Sequence, residues 1–141
     1  MMMSVSGQLA AVDRIAERQP GLKLVIDHMG LRSGTKGEQA FAGVPELCGL
    51  ARRSNVAVKA SALPCYSVEP YPFRDVHAHT RRVYDAFGPR RMFWGTDWTR
   101  LPCPWRQAVT LFTEELPWLS TDDKEWIMGR GPGEPLAESA A

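Results

Sequence analysis

Residues 88–98 read GPRRMFWGTDW. Gly88-Pro89 ends whatever precedes it, because glycine permits a sharp turn and proline cannot continue a helix. Arg91–Thr96 is then a short apolar run, too brief for a helix, that stops at two small residues before Asp97 and Trp98. Such a run, lacking strict polar alternation, fits a strand covered on both faces, as in parallel sheets. Packing alone gives no reason for a carboxylate at its end. Ligand binding does, since parallel α/β folds place their sites beyond the C-terminal ends of the strands.

Two upstream runs share that form. Leu22–Ile26 leads into Asp27-His28, and Asn55–Ser61 closes on Lys59-Ala60-Ser61. Helical spacing fills the gaps between them. Leu9, Val12, Ile15 and Ala16 recur at helical intervals between Gly7 and Gln19, and Pro45 sits as the first residue of a helix striped by Val44, Leu47, Leu50 and Ala51. Asp75 to about Phe87 forms another, with Val76, Val83, Tyr84 and Phe87 on its buried side. Downstream, a helix is expected near Trp105–Leu116 and a last one from Ser120, where Ser120-x-x-Asp123 resembles a capping box. Residues 30–43 hold four glycines and read as a loop; the tail, 130–141, reads as disordered. The order is α-β-α-β-α-β-α, which implies an α/β fold of about three parallel strands joined by right-handed crossovers.

Composition bounds the rest. With 141 residues the chain is at most one domain of ordinary size, and at 44% hydrophobic and 23% charged its composition is globular. It has no apolar stretch long enough to span a bilayer. A net charge of +1 gives no support to a nucleic-acid or membrane partner. Cys48, Cys65 and Cys103 form no C-x-x-C pair, so neither a zinc ribbon nor a redox dithiol is expected. The start, MMMSVSGQLAAVD, lacks a basic region followed by an apolar core, and a cytoplasmic protein is expected.

Side chains alternate along a strand, which groups Leu24, Ile26 and His28 on one face. The same rule groups Ala57, Lys59 and Ser61, and also Phe93, Gly95 and Asp97. In a closed barrel these sets could all face inward and place His28, Ser61 and Asp97 around one mouth. Val25 with Asp27, Val56 with Val58, and Met92 with Trp94 would then face the helices. Asp27 fits that outward set poorly. His77-Ala78-His79 has a metal-binding spacing, but on a helix these residues point roughly 200° apart and cannot chelate one ion together.

LVIDHMG (24–30), NVAVKASAL (55–63) and GPRRMFWGTDW (88–98), in this order and at these separations, resemble the C-terminal part of the amidohydrolase-related family of metal-dependent-hydrolase TIM barrels. The likeness extends over roughly residues 8–129 and is strongest to the 2-pyrone-4,6-dicarboxylate lactonase branch. It implies a C-terminal fragment of a (β/α)₈ barrel, with the three strands standing sixth to eighth, one partial barrel domain over 1–129, and a tail. It further implies a hydrolase in which Asp97 is general base, and metal ligand if a metal is present, while His28 contacts the attacking water or the substrate carbonyl. Arg32 and Arg100 are implied as arginines that grip the substrate's carboxylates; Lys59 and Ser61, the polar groups at the end of the second strand, are the other candidate substrate-binding residues. The cofactor would be a divalent metal such as Zn, or none, since catalysis in the lactonase branch is metal-independent. A small carboxylate or lactone is the expected substrate, and a missing N-terminal barrel portion or an oligomer the expected completion of the site. The alternatives are a non-enzymatic barrel remnant or binding module and, within the family, a decarboxylase.

Overall fold

The computed structural model describes residues 1–130. The expectation for the tail therefore lies, from residue 131 onward, outside the described residues. The elements run β1 (Met2–Met3), α1 (Leu9–Arg18), β2 (Leu24–Ile26), α2 (Glu38–Phe41), α3 (Val44–Gly49), β3 (Val56–Ser61), α4 (His77–Phe87), β4 (Met92–Gly95), α5 (Trp105–Thr113) and α6 (Thr121–Glu125). The strands form one parallel sheet in the order β1-β2-β3-β4. Strand, crossover helix and parallel strand thus alternate as expected, but the sheet has four strands rather than three. β1 escapes a sequence reading because it is two residues long, paired Met2 to Val25 and Met3 to Ile26. No helix among the described residues is long and apolar enough to cross a membrane.

The register corrects one assignment of faces. Val25 pairs with Ala57, Lys59 with Phe93, and Ser61 with Gly95, so these six residues share a face. Leu24, Ile26, Val56, Val58 and Met92 lie on the other, all fully buried in one cluster with Leu9, Val12, Leu47, Val83 and Leu111 from the helices. β2 is therefore one residue out of the expected phase: Val25 and Asp27 belong with Lys59, and Leu24 and Ile26 pack against the helices. A strand reading Leu-Val-Ile is apolar throughout, so alternation carries no phase information there.

Polar anchors set how the layers meet. Asn55, 4% exposed, donates through Nδ2 to the carbonyls of Ala16, Gln19 and Leu22, which ties the end of α1 to the start of β3. Arg91 donates to the carbonyls of Ala51, Arg53 and Val56 and so pins the start of β4. The expected capping box is present: the Ser120 hydroxyl accepts from the Asp123 amide while the Asp123 carboxylate accepts from the Ser120 amide.

The glycine-rich stretch 30–43 is not wholly loop, since Glu38–Phe41 form α2. Gly37 opens it at φ 60° and donates its amide to the Tyr66 carbonyl at 2.8 Å. His79 stacks on Phe41 with ring centroids 4.3 Å apart and meets Glu38 Oε1 at 3.1 Å. His77 instead contacts the Pro72 carbonyl at 2.7 Å. The H-x-H pair thus holds structure from two sides of α4.

Candidate active site

Every strand after β1 leaves the sheet through a left-handed residue. His28 and Met29 follow β2 at φ 50° and 52°, Ala62 follows β3 at 57°, and Asp97 follows β4 at 50°. Non-glycine residues enter this region at a cost of about 1–2 kcal/mol, with Asp and Asn the most tolerant. The turn after β2 has a direct consequence. Asp27 keeps the strand's phase and points with Lys59, and the left-handed step then returns His28 to the same side, where simple alternation would have sent it away.

Three of the expected residues meet there. His28 Nδ1 lies 2.7 Å from Ser61 Oγ, and His28 Nε2 lies 3.5 Å from Asp97 Oδ2. Arg100 joins from the turn after Asp97: its Nη1 donates to Asp97 Oδ2 at 3.3 Å and its Nη2 to Ser33 Oγ at 2.9 Å. The result is a line of contacts, Ser61 to His28 to Asp97 to Arg100, drawn from the ends of β2, β3 and β4. Ser61 is 1% exposed, while His28 and Asp97 are half-buried. Burial lowers the His28 pKa below its ordinary value, and the Asp97 and Asp27 carboxylates oppose that shift without reversing it.

Lys59 meets Asp27 rather than Asp97, with Nζ 2.7 Å from Oδ1 in a partly buried ion pair. With the rest of β2, Asp27 was expected on the opposite face, and its poor fit there was the available signal. Tyr66 was not singled out by sequence either. It is 1% exposed, its hydroxyl has no hydrogen-bond partner among the described residues, and burial pushes its pKa up while the Arg100 guanidinium opposes this. No hydrogen bond or ion pair among the described residues links the Arg32 guanidinium to the other candidates. Beside the site, Met2, Val25, Lys59 and Phe93, on the sheet face away from the helices, line an open groove of about 380 Å³.

The donor set bears on a metal. Among the described residues no three His, Cys, Asp or Glu side chains converge on one point. Asp97 and His28 offer at most two ligands, Asp27 is paired with Lys59, and a catalytic zinc site takes three protein ligands. These residues alone do not fit a metal centre.

The amidohydrolase family model matches residues 3–132. L-fucono-1,5-lactonase of Burkholderia ambifaria is 35% identical over 91 residues, covering 64% of this chain and 31% of the lactonase. An amidohydrolase of Burkholderia multivorans with bound zinc aligns with a TM-score of 0.77 at 24% identity, over 92% of this chain and 49% of that one. A candidate 2-pyrone-4,6-dicarboxylic acid hydrolase of Pseudomonas putida aligns with a TM-score of 0.59 at 27% identity, over 84% of this chain and 45% of the other. The chain spans between 31% and 49% of the length of these relatives, and its parallel sheet with helices matches part of a TIM barrel.

Proposed function

The chain belongs to the amidohydrolase family, and we propose from that premise that it supplies the C-terminal side of a barrel hydrolase acting on a small lactone. The observation that carries this is the approach of Asp97 Oδ2 to both His28 Nε2, at 3.5 Å, and Arg100 Nη1, at 3.3 Å, at the mouth formed by three strand ends. The likeness to a sugar lactonase and to a pyrone-dicarboxylate hydrolase supports the lactone as substrate class.

The reaction needs a base for water and a donor for the carbonyl oxygen. Asp97 takes a proton from water as its oxygen attacks the lactone carbonyl carbon. The His28 N–H donates to the carbonyl oxygen, which gains negative charge as the tetrahedral intermediate forms. The ring C–O bond then breaks and its oxygen takes the proton back from Asp97, leaving a hydroxy acid. Arg100, already held by Ser33, and Arg32 in the neighbouring loop bind carboxylate or hydroxyl groups of the substrate, while Lys59 is held by Asp27. Asp97 and His28, two candidate ligands, do not by themselves make a metal site.

The test is hydrolysis of L-fucono-1,5-lactone and of 2-pyrone-4,6-dicarboxylate by the chain within a complete barrel. Asp97→Asn should lower turnover by roughly 10²–10⁴. Turnover close to that of the unaltered protein would remove Asp97 from the mechanism. One observation favours a second reading, a folded barrel part without turnover of its own: the groove of about 380 Å³ leaves the inner face of the sheet open beside Lys59 and Phe93. Lactone hydrolysis by the purified chain alone would exclude it.

A further inference from the structure

Within the proposed role of His28, on which this assignment rests, we infer that Ser61 is a positioning residue. Its hydroxyl donates to His28 Nδ1 and holds the imidazole in the form that presents Nε2–H to the mouth.

The contact is short, 2.7 Å, and it is enclosed. Ser61 is 1% exposed and stands opposite Gly95 in the ladder between β3 and β4. A Cβ built on Gly95 would lie 3.3 Å from Ser61 Cβ, so the backbone of β4 seals that flank. A hydroxyl so placed is not presented to a ligand, and its described partner is the imidazole.

Counting protons gives the direction of the bond. An ionised carboxylate only accepts, so the ring nitrogen facing Asp97 at 3.5 Å carries the hydrogen. A neutral imidazole has one N–H, which leaves Nδ1 as an acceptor and Ser61 as its donor. The opposite arrangement points the Nε2 lone pair at a carboxylate and leaves a buried hydroxyl hydrogen without an acceptor. An orphaned buried donor costs about 1–3 kcal/mol. The left-handed backbone at His28 contributes as well, because φ 50° directs the side chain toward β3 rather than away from it. Ser61 therefore makes the ring a hydrogen-bond donor at the mouth, the state in which it can stabilise a carbonyl oxygen.

The imidazole nitrogens of the ¹⁵N-labelled chain test this, read by two-bond ¹H–¹⁵N correlation above the ordinary histidine titration range. His28 signals are identified by their loss in His28→Gln. The expected spectrum has an unprotonated Nδ1 and a protonated Nε2 for His28. Ser61→Ala should shift the Nδ1 signal to that of a ring nitrogen without a donor. A protonated Nδ1 in the unaltered chain overturns the assignment, and so does an unchanged Nδ1 signal in folded Ser61→Ala. Should that variant fail to fold, the spectrum of the unaltered chain decides alone. Turnover is measured separately: the expected tautomer without lactone hydrolysis overturns the proposed function and leaves the Ser61 assignment standing.

Discussion

Asp97 carries two burdens that substitution can separate, a left-handed backbone and a carboxylate at the mouth. Asp97→Asn keeps a residue that tolerates φ 50° and removes the charge. Asp97→Gly keeps the backbone and removes the side chain, and Asp97→Ala removes both advantages. The carboxylate's stabilising contacts are modest. Its ion pair with Arg100 is partly exposed, 26% against 35%, which limits it to about 0–1 kcal/mol. Its approach to His28 at 3.5 Å is too long for a strong hydrogen bond. Asn should therefore cost about 0.5 kcal/mol. Ala adds the left-handed penalty of about 1–2 kcal/mol, for a total near 2 kcal/mol. Gly should fall between them, because it escapes that penalty but gains freedom in the unfolded chain. Urea unfolding followed by far-UV circular dichroism gives the order, and lactone hydrolysis in a complete barrel gives the chemistry. The expected stability order is Asp, Asn, Gly, Ala, with turnover lost in all three variants. Ala matching Asn would refute the left-handed argument, whereas full turnover in Asn would refute the base assignment without touching the fold.

Three further outcomes follow from particular contacts. His28 has a folded pKa below its unfolded value, so its contribution to stability is fully present above about pH 6.5 and is lost as pH falls through the folded pKa; unfolding midpoints between pH 4 and 8, compared with those of His28→Gln, should show the dependence shrink in the variant. Asn55→Ala removes the donor shared by three carbonyls and should destabilise by about 2–3 kcal/mol in urea titration, with a loss under 0.5 kcal/mol counting against the anchor. Gly95→Ala puts a methyl group 3.3 Å from Ser61 Cβ and 3.6 Å from Lys59 Cε; it should cost about 1–2 kcal/mol and broaden the His28 imidazole signals, whereas an unchanged spectrum would show that the ladder yields there.

Much of this was legible in the sequence for physical reasons. Apolar runs of strand length, each followed by a polar pair and then a helical period, define a parallel α/β order without reference to any contact. The ends of those runs carry polar residues, and the structure brings Asp97, His28, Ser61 and Arg100 into contact there. The reading of His77 and His79 as separated on a helix rests on helical geometry, and α4 holds both. What escaped was phase. Leu24-Val25-Ile26 offers no polar residue to mark its inner face, and no periodicity crosses a left-handed turn, so Asp27 and His28 were assigned as if the strand continued. β1 escaped for want of length, and α2 because glycines on both sides mask four helical residues.

The stretch from Gly30 to Gly43 bears on recognition in a further way. Glycine loses more conformational freedom on ordering than any other residue, and a segment with four of them is costly to hold still. Here the cost is met at folding, by the Gly37–Tyr66 backbone bond, the Arg100–Ser33 bond and the Phe41–His79 stack. A ligand arriving beside Ser33 and Arg100 meets a rim that is already assembled and need not supply the energy to order it. Under the binding role proposed for Arg100, affinity at that rim is set partly from α4, by a histidine on the helix and not at the mouth. On that proposal, loosening the His79 stack weakens binding at the rim without altering the Arg100 or Ser33 side chains themselves.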